Sequence, residues 1–240
     1  MIKRRIVLIL LVVIMCICFM GAVSLHDSMT VENTTDVSDE IIIGNDSTGS
    51  VKVIKNLGNP DGEKIAYVVG VHPLENDTHK TFLNQFLKMD NLNHSYDVYV
   101  INVSEDFSSY GELLPDDEPG RATGQDLALK YVYPEIVNGS YKMAVDVHAH
   151  GGAYGNHNTF VFSPVSGSEG ETLGAKVSNM TENVSYYDPE YTTSGPYLTV
   201  PLNENGVPAF YFEENSFYSQ DLKDLHMLEL INAVDKLSFS

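Results

Sequence analysis

Cysteine, arginine and tryptophan are scarce in this 240-residue sequence, and each scarcity narrows the possible functions. Both cysteines, Cys16 and Cys18, lie in the N-terminal stretch 1–24, so the remainder can form no disulfide and offers no thiolate metal ligand. Tryptophan is absent, which disfavours a sugar-binding module built on an exposed aromatic platform. Basic residues number 14 against 33 acidic ones, a net charge of −19. Such a chain should repel nucleic acid and anionic lipid headgroups.

The N-terminal stretch 1–24 has the pattern of a targeting segment. Lys3, Arg4 and Arg5 precede an unbroken apolar run from Ile6 to Val23. This run is long for a cleavable signal peptide and short for a membrane-spanning helix, so both a cleaved signal and a retained N-terminal anchor stay open. In either case we expect the rest of the chain to be exported. It would be secreted, or anchored to the outer face of the cytoplasmic membrane through this segment alone.

Eight N-x-S/T sequons make a glycosylated surface plausible for an exported chain, although several could occur by chance. Their asparagines are Asn33, Asn45, Asn76, Asn93, Asn102, Asn138, Asn179 and Asn183.

Beyond the targeting segment the chain divides into a linker and a domain. Residues 25–50 are polar and acidic with little periodicity, which predicts a linker in which "EIII" could dock as a short strand. From residue 51 to 240, strand-like runs alternate with helical patterns, and several of the strands are continuously apolar. This alternation predicts an α/β fold, a three-layer α/β/α sandwich with a mostly parallel, mixed central sheet. Ligands of such sheets bind beyond the carboxyl ends of the strands.

Three local patterns give specific structural predictions. Two apolar runs around "NPDG" at 59–62 predict a β-hairpin, because Pro fixes φ and Gly accepts positive φ. The stretch "YLTVPL" at 197–202 predicts a short strand. The stretch "TGQDLALKYVYPEIV" at 123–137 predicts a helix that Pro134 kinks or ends.

The final helical pattern predicts both a start and a buried face. Ser219 is the expected N-cap residue. The side chains expected to face inward are those of Leu222, Leu225, Leu228 and Ile231. Three histidines in helical or loop contexts are expected to be solvated, namely His79, His94 and His226.

Three predicted strands end in side chains that can bind a metal. "VVGVHPLE" ends in His72 and Glu75, "MAVDVHAHGG" contains His148, and "PAFYFEEN" contains Glu213. Two imidazoles and one carboxylate form a common catalytic zinc set, with a fourth position left for water. We therefore expect His72, Glu75 and His148 to hold one zinc ion. Glu213 is the candidate base, which accepts the proton of the attacking water and delivers it to the leaving group.

Neighbouring residues leave alternatives open. His150 could replace His148 as a ligand, because residues two apart on a strand project to one face. Asp146 could support a ligating histidine. Glu214 should point away from the side on which Glu213 lies. The glycine-rich stretch "HGGAYGNHN", at 150–158, is expected at the pocket rim.

These motifs, in this order, resemble the zinc carboxypeptidase family over roughly residues 64–236. That family uses H-x-x-E, then a distant histidine after a strand, then a glutamate closing a strand written like F-T-F-E. It also places a mobile tyrosine, upstream of that glutamate, in a segment like Y-Q-A-S-G. The matching segment here is "YTTSG", so the resemblance implies that Tyr191 donates a hydrogen bond to bound substrate. The related succinylglutamate desuccinylase and aspartoacylase group shares the metal triad and the glutamate.

The chain departs from this family in its arginines. The family uses several, usually including an Asn-Arg pair, to polarise the scissile carbonyl and to hold the substrate's terminal carboxylate. Beyond position 24 the only arginine is Arg121, which could take one of those roles or form a plain surface ion pair. The single arginine leaves carboxypeptidase, endopeptidase, amidase and deacylase activities open.

The resemblance implies an exported zinc-dependent hydrolase that cleaves an amide bond. Its expected substrates are peptides, acylated amino acids or cell-envelope crosslinks. The alternative is a non-catalytic surface domain that retains the fold. The scarcity of arginine favours this alternative, as does the sequon at Asn76, because a glycan next to Glu75 could obstruct the site.

Overall fold

A computed structural model describes residues 39–108, 120–190 and 194–239. The predicted targeting segment and most of the predicted linker fall outside these ranges, and so does Tyr191. Within them, no helix combines the length and the apolar character needed to cross a bilayer.

Strands and helices alternate along much of the described chain. The strands are β1 (Asp39–Asp46), β2 (Gly49–Gly58), β3 (Lys64–Val69), β4 (Ser95–Val103), β5 (Met143–His150), β6 (Thr159–Phe162), β7 (Ser185–Tyr186) and β8 (Ala209–Asn215). The helices are α1 (Asn76–Phe86), α2 (Glu105–Ser108), α3 (Arg121–Leu127), α4 (Tyr133–Asn138), α5 (Glu169–Asn179), α6 (Thr199–Glu204) and α7 (Gln220–Val234). A π-helical turn, Ala128–Val132, joins α3 to α4, and 3₁₀ turns occur at Pro73–Glu75 and Gly195–Tyr197.

All eight strands form one mixed sheet in the order β1-β2-β4-β3-β5-β8-β6-β7. The central strands β4, β3, β5 and β8 are parallel, whereas β2 pairs with β1 and β4, and β6 with β8, in antiparallel fashion. Strand β1 confirms the short strand expected at "EIII". The predicted α/β class with a mostly parallel mixed sheet is confirmed.

Both faces of the sheet are covered by helices, because side chains along each strand alternate between two cores. One core joins Tyr67 and Val69 of β3 to apolar residues of α1, α5 and α7. The other joins Ala66 and Val68 to α3, the π-turn, α4 and α6. The predicted three-layer arrangement therefore follows from two buried faces.

The predicted hairpin between β2 and β3 is wrong, because β4 lies between them and pairs with both. The turn itself exists, since Gly62 N–H donates to Asn59 O at 3.0 Å. However, Asn59 N–H also donates to His94 O at 2.9 Å, so the turn passes over the start of β4. Strand pairing is a long-range property that the turn residues do not determine.

The strand predicted at "YLTVPL" is also wrong, because the segment enters helix α6. Leu198 and Leu202 are both buried, and their spacing of four places them on one side of a helical turn. Packing of these two leucines outweighs the strand preference of Thr199 and Val200. The predicted helix around Pro134 continues past that residue to Asn138, and the π-turn directly precedes it.

Helix α7 begins after Ser219 as predicted, although the serine side chain makes no capping hydrogen bond. Ile231 is buried as expected, but Leu222 and Leu225 are 40% and 43% exposed. A spacing of three residues drifts around a helix with 3.6 residues per turn, so the predicted row could not stay on one face. The buried row instead follows spacings of three and four, at Lys223, His226, Met227, Leu230, Ile231 and Val234.

The three histidines expected to be solvated are all buried, because each has a specific partner. His79 Nε2 bonds to Val147 O at 3.0 Å, and His94 Nε2 bonds to Leu237 O at 2.9 Å. His226 Nδ1 lies 3.0 Å from Glu214 Oε2 and ties α7 to β8. As predicted, Glu214 therefore points away from the side of the sheet on which Glu213 lies.

A buried carboxylate at the end of α7 clamps the start of β4. Asp235 accepts hydrogen bonds from Asn93 N–H at 2.8 Å, from Asn93 Nδ2–H at 2.8 Å and from Tyr96 O–H at 2.8 Å. Its backbone oxygen accepts a second bond from Asn93 Nδ2–H at 3.1 Å. These bonds join segments that are far apart along the sequence.

We expect the substitution Asp235→Ala to lower the free energy of unfolding by about 2–4 kcal/mol, because it leaves the buried Tyr96 hydroxyl and the buried His94 N–H without their acceptor and removes the bonds to Asn93. Urea denaturation would measure the change. Lys236→Ala, at the next and exposed position, is the matched control and should stay within about 0.5 kcal/mol of the wild type. Equal stability of the two variants would contradict the clamp.

Candidate metal centre

The H-x-x-E segment forms a tight turn at the carboxyl end of β3. Gly70 has a φ of 90°, and a Cβ there would collide with the carbonyl oxygen of Ile101 on β4. Glycine is therefore needed for the chain to leave the sheet at this point. The 3₁₀ turn follows at once, and Glu75 N–H donates to His72 O at 3.1 Å. This turn brings the side chains of His72 and Glu75 together.

The next two strands supply the other side chains. His148 near the end of β5 is paired in register with Glu213 of β8. Paired residues of adjacent parallel strands project to the same face, so the two side chains are neighbours. His148 is 1% exposed and Glu213 is 8% exposed.

Three side chains converge as the sequence predicts. His72 Nδ1 lies 2.8 Å from Glu75 Oε1, and His148 Nδ1 lies 3.0 Å from Glu75 Oε2. The two Nδ1 atoms are 3.1 Å apart. The ligand atoms of all three residues lie within 4.8 Å of one another. Ala149 N–H donates to Glu75 Oε2 at 2.9 Å and fixes the carboxylate.

The donor set fits a zinc ion. Tetrahedral zinc with Zn–N distances of about 2.0–2.1 Å separates two ligand nitrogens by about 3.3–3.4 Å, close to the spacing found here. Two imidazole nitrogens that face each other need a proton or a cation between them, since their lone pairs otherwise repel. A buried carboxylate beside them supplies negative charge. His72, Glu75 and His148 could therefore hold a divalent metal ion.

His148 has an acidic neighbour on its other side. Its Nε2 lies 3.0 Å from Asp146 Oδ1, although the pair lacks hydrogen-bond geometry. Asp146 is 1% exposed, and neither of its carboxylate oxygens has a hydrogen-bond partner among the described residues. A carboxylate behind a ligating histidine orients the ring and makes the ligand nitrogen more basic. The support anticipated from Asp146 is thus compatible with this geometry.

Burial and neighbouring charges shift the pKa values of the cluster in opposite directions. Burial alone would raise the pKa of Glu75, but His72 and His148 outweigh it and hold that pKa well below its ordinary value. Burial alone would lower the pKa of His148, but Asp146 and Glu75 raise it well above the ordinary value. For His72 burial prevails and lowers the pKa, with Glu75 opposing. The carboxylates of the cluster thus stabilise one positive charge beside them, such as a proton on His148.

Glu213 lies beside the cluster, and one of its two carboxylate oxygens accepts no hydrogen bond from a described residue. Its Oε2 is buried and has no hydrogen-bond partner in the described part of the chain. Burial raises the pKa of Glu213 to about 8, while His148 lowers it and Glu75 raises it further. A divalent cation beside it would act in the opposite direction and favour the carboxylate. The free oxygen leaves Glu213 able to bind water or substrate.

Arg121 is the first residue of α3 and is half-buried. Its positive charge lowers the pKa values of both His72 and Glu213, so the guanidinium lies within electrostatic range of the centre. The sequence left open whether this arginine serves the site or a surface ion pair, and its role stays a prediction.

His150 does not join the metal cluster. Its Nε2 bonds to Asn158 O at 3.0 Å and its Nδ1 accepts from Gly152 N–H at 3.1 Å. Both ring nitrogens therefore hold the glycine-rich loop, and it is His148 whose nitrogen lies in the cluster.

Tyr191 lies outside the described residues, so its role in binding substrate stays a prediction. Further along the same segment, Ser194 Oγ–H donates to Tyr211 Oη at 2.9 Å. The ring of Tyr211 in turn packs against His148, with centroids 5.2 Å apart.

Two residues beside the centre carry no motif by which the sequence could single them out. Gln125 of α3 is 5% exposed, and its Nε2 lies 3.2 Å from His72 Nε2. Tyr154 lies in the glycine-rich loop, where burial raises its pKa to about 12 with a further contribution from Glu213. The one sequence signal for Gln125 is its spacing of four from Arg121, which places both on one helical face.

Comparison with solved structures identifies a known fold. The cell shape determinant Csd4 from Helicobacter pylori, in a tripeptide-bound crystal structure, matches with 12% identity and a TM-score of 0.55. The match covers 77% of this chain but only 54% of Csd4. A putative carboxypeptidase from Burkholderia mallei matches with 11% identity and a TM-score of 0.50, over 82% of this chain and 62% of the other. A metallo-carboxypeptidase from Burkholderia cenocepacia matches with 8% identity, a TM-score of 0.50 and coverage of 84% and 65%.

These likenesses show that the fold is zinc carboxypeptidase-like, as the motifs indicate. Their low identity shows the fold alone, and the chain spans about half the length of Csd4. No protein-family model and no curated protein sequence matches this chain. The molecule therefore combines a zinc peptidase-like fold with a His/Glu/His cluster suited to a metal ion.

We expect the purified domain to bind about one equivalent of zinc. The substitutions His72→Ala and His148→Ala should each abolish stoichiometric binding, because the two remaining ligands hold the ion too weakly. Metal analysis after dialysis would measure the content. His157→Ala is the matched control, since this exposed ring stacks on Tyr187 and is not one of the clustered ligands. Retention of zinc by both ligand variants would contradict the site.

Proposed function

We propose that this protein is an exported zinc-dependent hydrolase that cleaves an amide bond, with a peptidase or amidase activity. The observation that carries the proposal is the largely buried cluster of His72, Glu75 and His148, with an oxygen of Glu213 beside it that has no partner among the described residues. A buried acid without a partner is costly to maintain, and such groups concentrate at sites where a ligand or reactant completes the hydrogen bonding.

Each of these residues would have a separate role in the reaction. His72, Glu75 and His148 would hold the metal, which when bound supplies Lewis-acid polarisation and stabilises developing negative charge. Glu213 would accept a proton from the attacking water at Oε2. It would then deliver that proton to the nitrogen of the leaving group, so that an amine departs rather than an amide anion.

Arg121 and Tyr191 would bind the substrate and stabilise charge. The guanidinium of Arg121 could donate to the carbonyl oxygen as it gains negative charge, or to a substrate carboxylate. With one arginine available, it would serve one of these roles. The role that Arg121 takes decides whether the enzyme removes a C-terminal residue or cleaves another kind of amide.

Peptides, acylated amino acids and cell-envelope crosslinks are the substrates that we propose. An amide-cleaving centre accepts any of them, and the tripeptide held by Csd4 is consistent with a peptide ligand. The acidic charge of −19 disfavours polyanionic substrates and nucleic acids. An outward-facing location would bring peptides and envelope material within reach.

We expect Glu213→Gln to keep the zinc but to lower kcat by about 10²–10⁴-fold, because it removes the proton acceptor without removing a ligand. A panel of short peptides and acyl amino acids, assayed with zinc-loaded protein, would measure the loss. Glu204→Gln, at an exposed glutamate of α6, is the matched control. Full activity in the Glu213 variant would overturn the assignment of the base.

A non-catalytic surface domain is the second candidate, and the exposed Asn76 next to Glu75 favours it. A glycan at this sequon would stand beside the metal centre. Zinc-loaded wild-type protein that hydrolyses nothing in the panel, together with an intact zinc stoichiometry, would support this candidate over the hydrolase.

We expect the domain to be degraded when intact producing cells are treated with an external protease, since an exported protein is accessible from outside. N-terminal sequencing of protein from untreated cells would distinguish a chain cleaved near position 24 from one that retains Met1. Protection in intact cells, with degradation only after lysis, would contradict export.

A further inference from the structure

The side of the His72 ring that faces away from the cluster contacts a buried amide. Gln125 Nε2 lies 3.2 Å from His72 Nε2, whereas the other ring nitrogen, Nδ1, faces Glu75. Gln125 is 5% exposed, although most glutamines lie at the surface. A buried glutamine whose side chain contacts a candidate metal ligand requires an explanation beyond packing.

Close backbone packing holds this glutamine in place. A Cβ at Gly124 would collide with the carbonyl oxygen of Val71, the residue before His72. Glycine therefore allows α3 to rest directly on the end of the segment that carries the ligand. Gln125 follows Gly124, so its distance from His72 is fixed by contact between the two backbones.

The amide can serve His72 in both of its neutral forms. Without a cation, Nδ1–H donates to Glu75 and Gln125 N–H donates to Nε2. With a cation at Nδ1, the proton must reside on Nε2 and needs an acceptor. Rotation of the amide by half a turn exchanges its NH₂ for its oxygen at nearly the same position, which then accepts from Nε2–H.

We propose that Gln125 is a positioning residue for His72, which fixes the ring and its tautomer in the metal-loaded and metal-free states. A carboxylate at this place could only accept a hydrogen bond. It would also add a fourth acid to Glu75, Asp146 and Glu213, which are all largely removed from solvent. The neutral amide thus supports one histidine without the charge that Asp146 places behind the other.

The inference rests on the proposed function in taking zinc as the occupant of the site, but its test measures zinc binding and not turnover. We expect Gln125→Met to weaken zinc affinity by about 10–100-fold, the usual effect of losing the outer partner of a ligating histidine. Gln125→Glu should bind zinc at least as tightly as the wild type, because its carboxylate accepts from Nε2–H. Competition against a chromophoric chelator would give the dissociation constants.

Two controls separate positioning from packing. Asp126→Ala, at the exposed next residue of α3, should leave the zinc affinity unchanged. Met and Glu are similar in size to Gln, so a role in packing alone would change both variants in the same direction. Thermal unfolding of the metal-free proteins would show whether each variant is folded.

The outcomes distinguish the two proposals. If wild-type protein binds zinc and Gln125→Met binds it within twofold, or Gln125→Glu is as weak as Gln125→Met, only the role of Gln125 is overturned. If folded wild-type protein binds no zinc, the proposed function and this inference both fail.

Discussion

Parallel pairing of β3, β5 and β8 is the constraint on which the candidate site depends. The register that sets Val68 opposite Asp146, and His148 opposite Glu213, places residues from three distant parts of the chain at one edge of the sheet. A shift of one residue in β8 would turn Glu213 into the opposite core and bring Glu214 to the centre. The apolar residues that alternate with these side chains hold the register, because they fill the two cores on either side.

The same pairing concentrates acidic groups where water is largely excluded. Glu75, Asp146 and Glu213 lie near two imidazoles, and the charges of this cluster shift the pKa values of Glu75, His148 and Glu213. Such a cluster is stable only if positive charge enters it, as a proton on His148 or as a cation between the ligands.

The sequence could predict which side chains cluster at the candidate site, because local signals identify them. The pattern consists of an apolar run followed by His72-x-x-Glu75, and of two further strands that end in His148 and Glu213. Only the assumption of a parallel sheet is needed to bring these side chains to one edge. The insertion of β4 between β2 and β3 could not be read from a turn motif, since strand order is a long-range property. Gln125 could not be found either, because its role depends on how closely Gly124 lets a helix approach Val71.

The clamp between Asp235 and Asn93 has a consequence for the covalent chemistry of the surface. Asn93 belongs to one of the eight sequons, yet both hydrogens of its amide nitrogen are used, by the carboxylate and the carbonyl of Asp235. Attachment of an oligosaccharide would replace one of those hydrogens with a bulky group. A sugar on this asparagine would therefore cost one of the two hydrogen bonds that its amide nitrogen donates to Asp235.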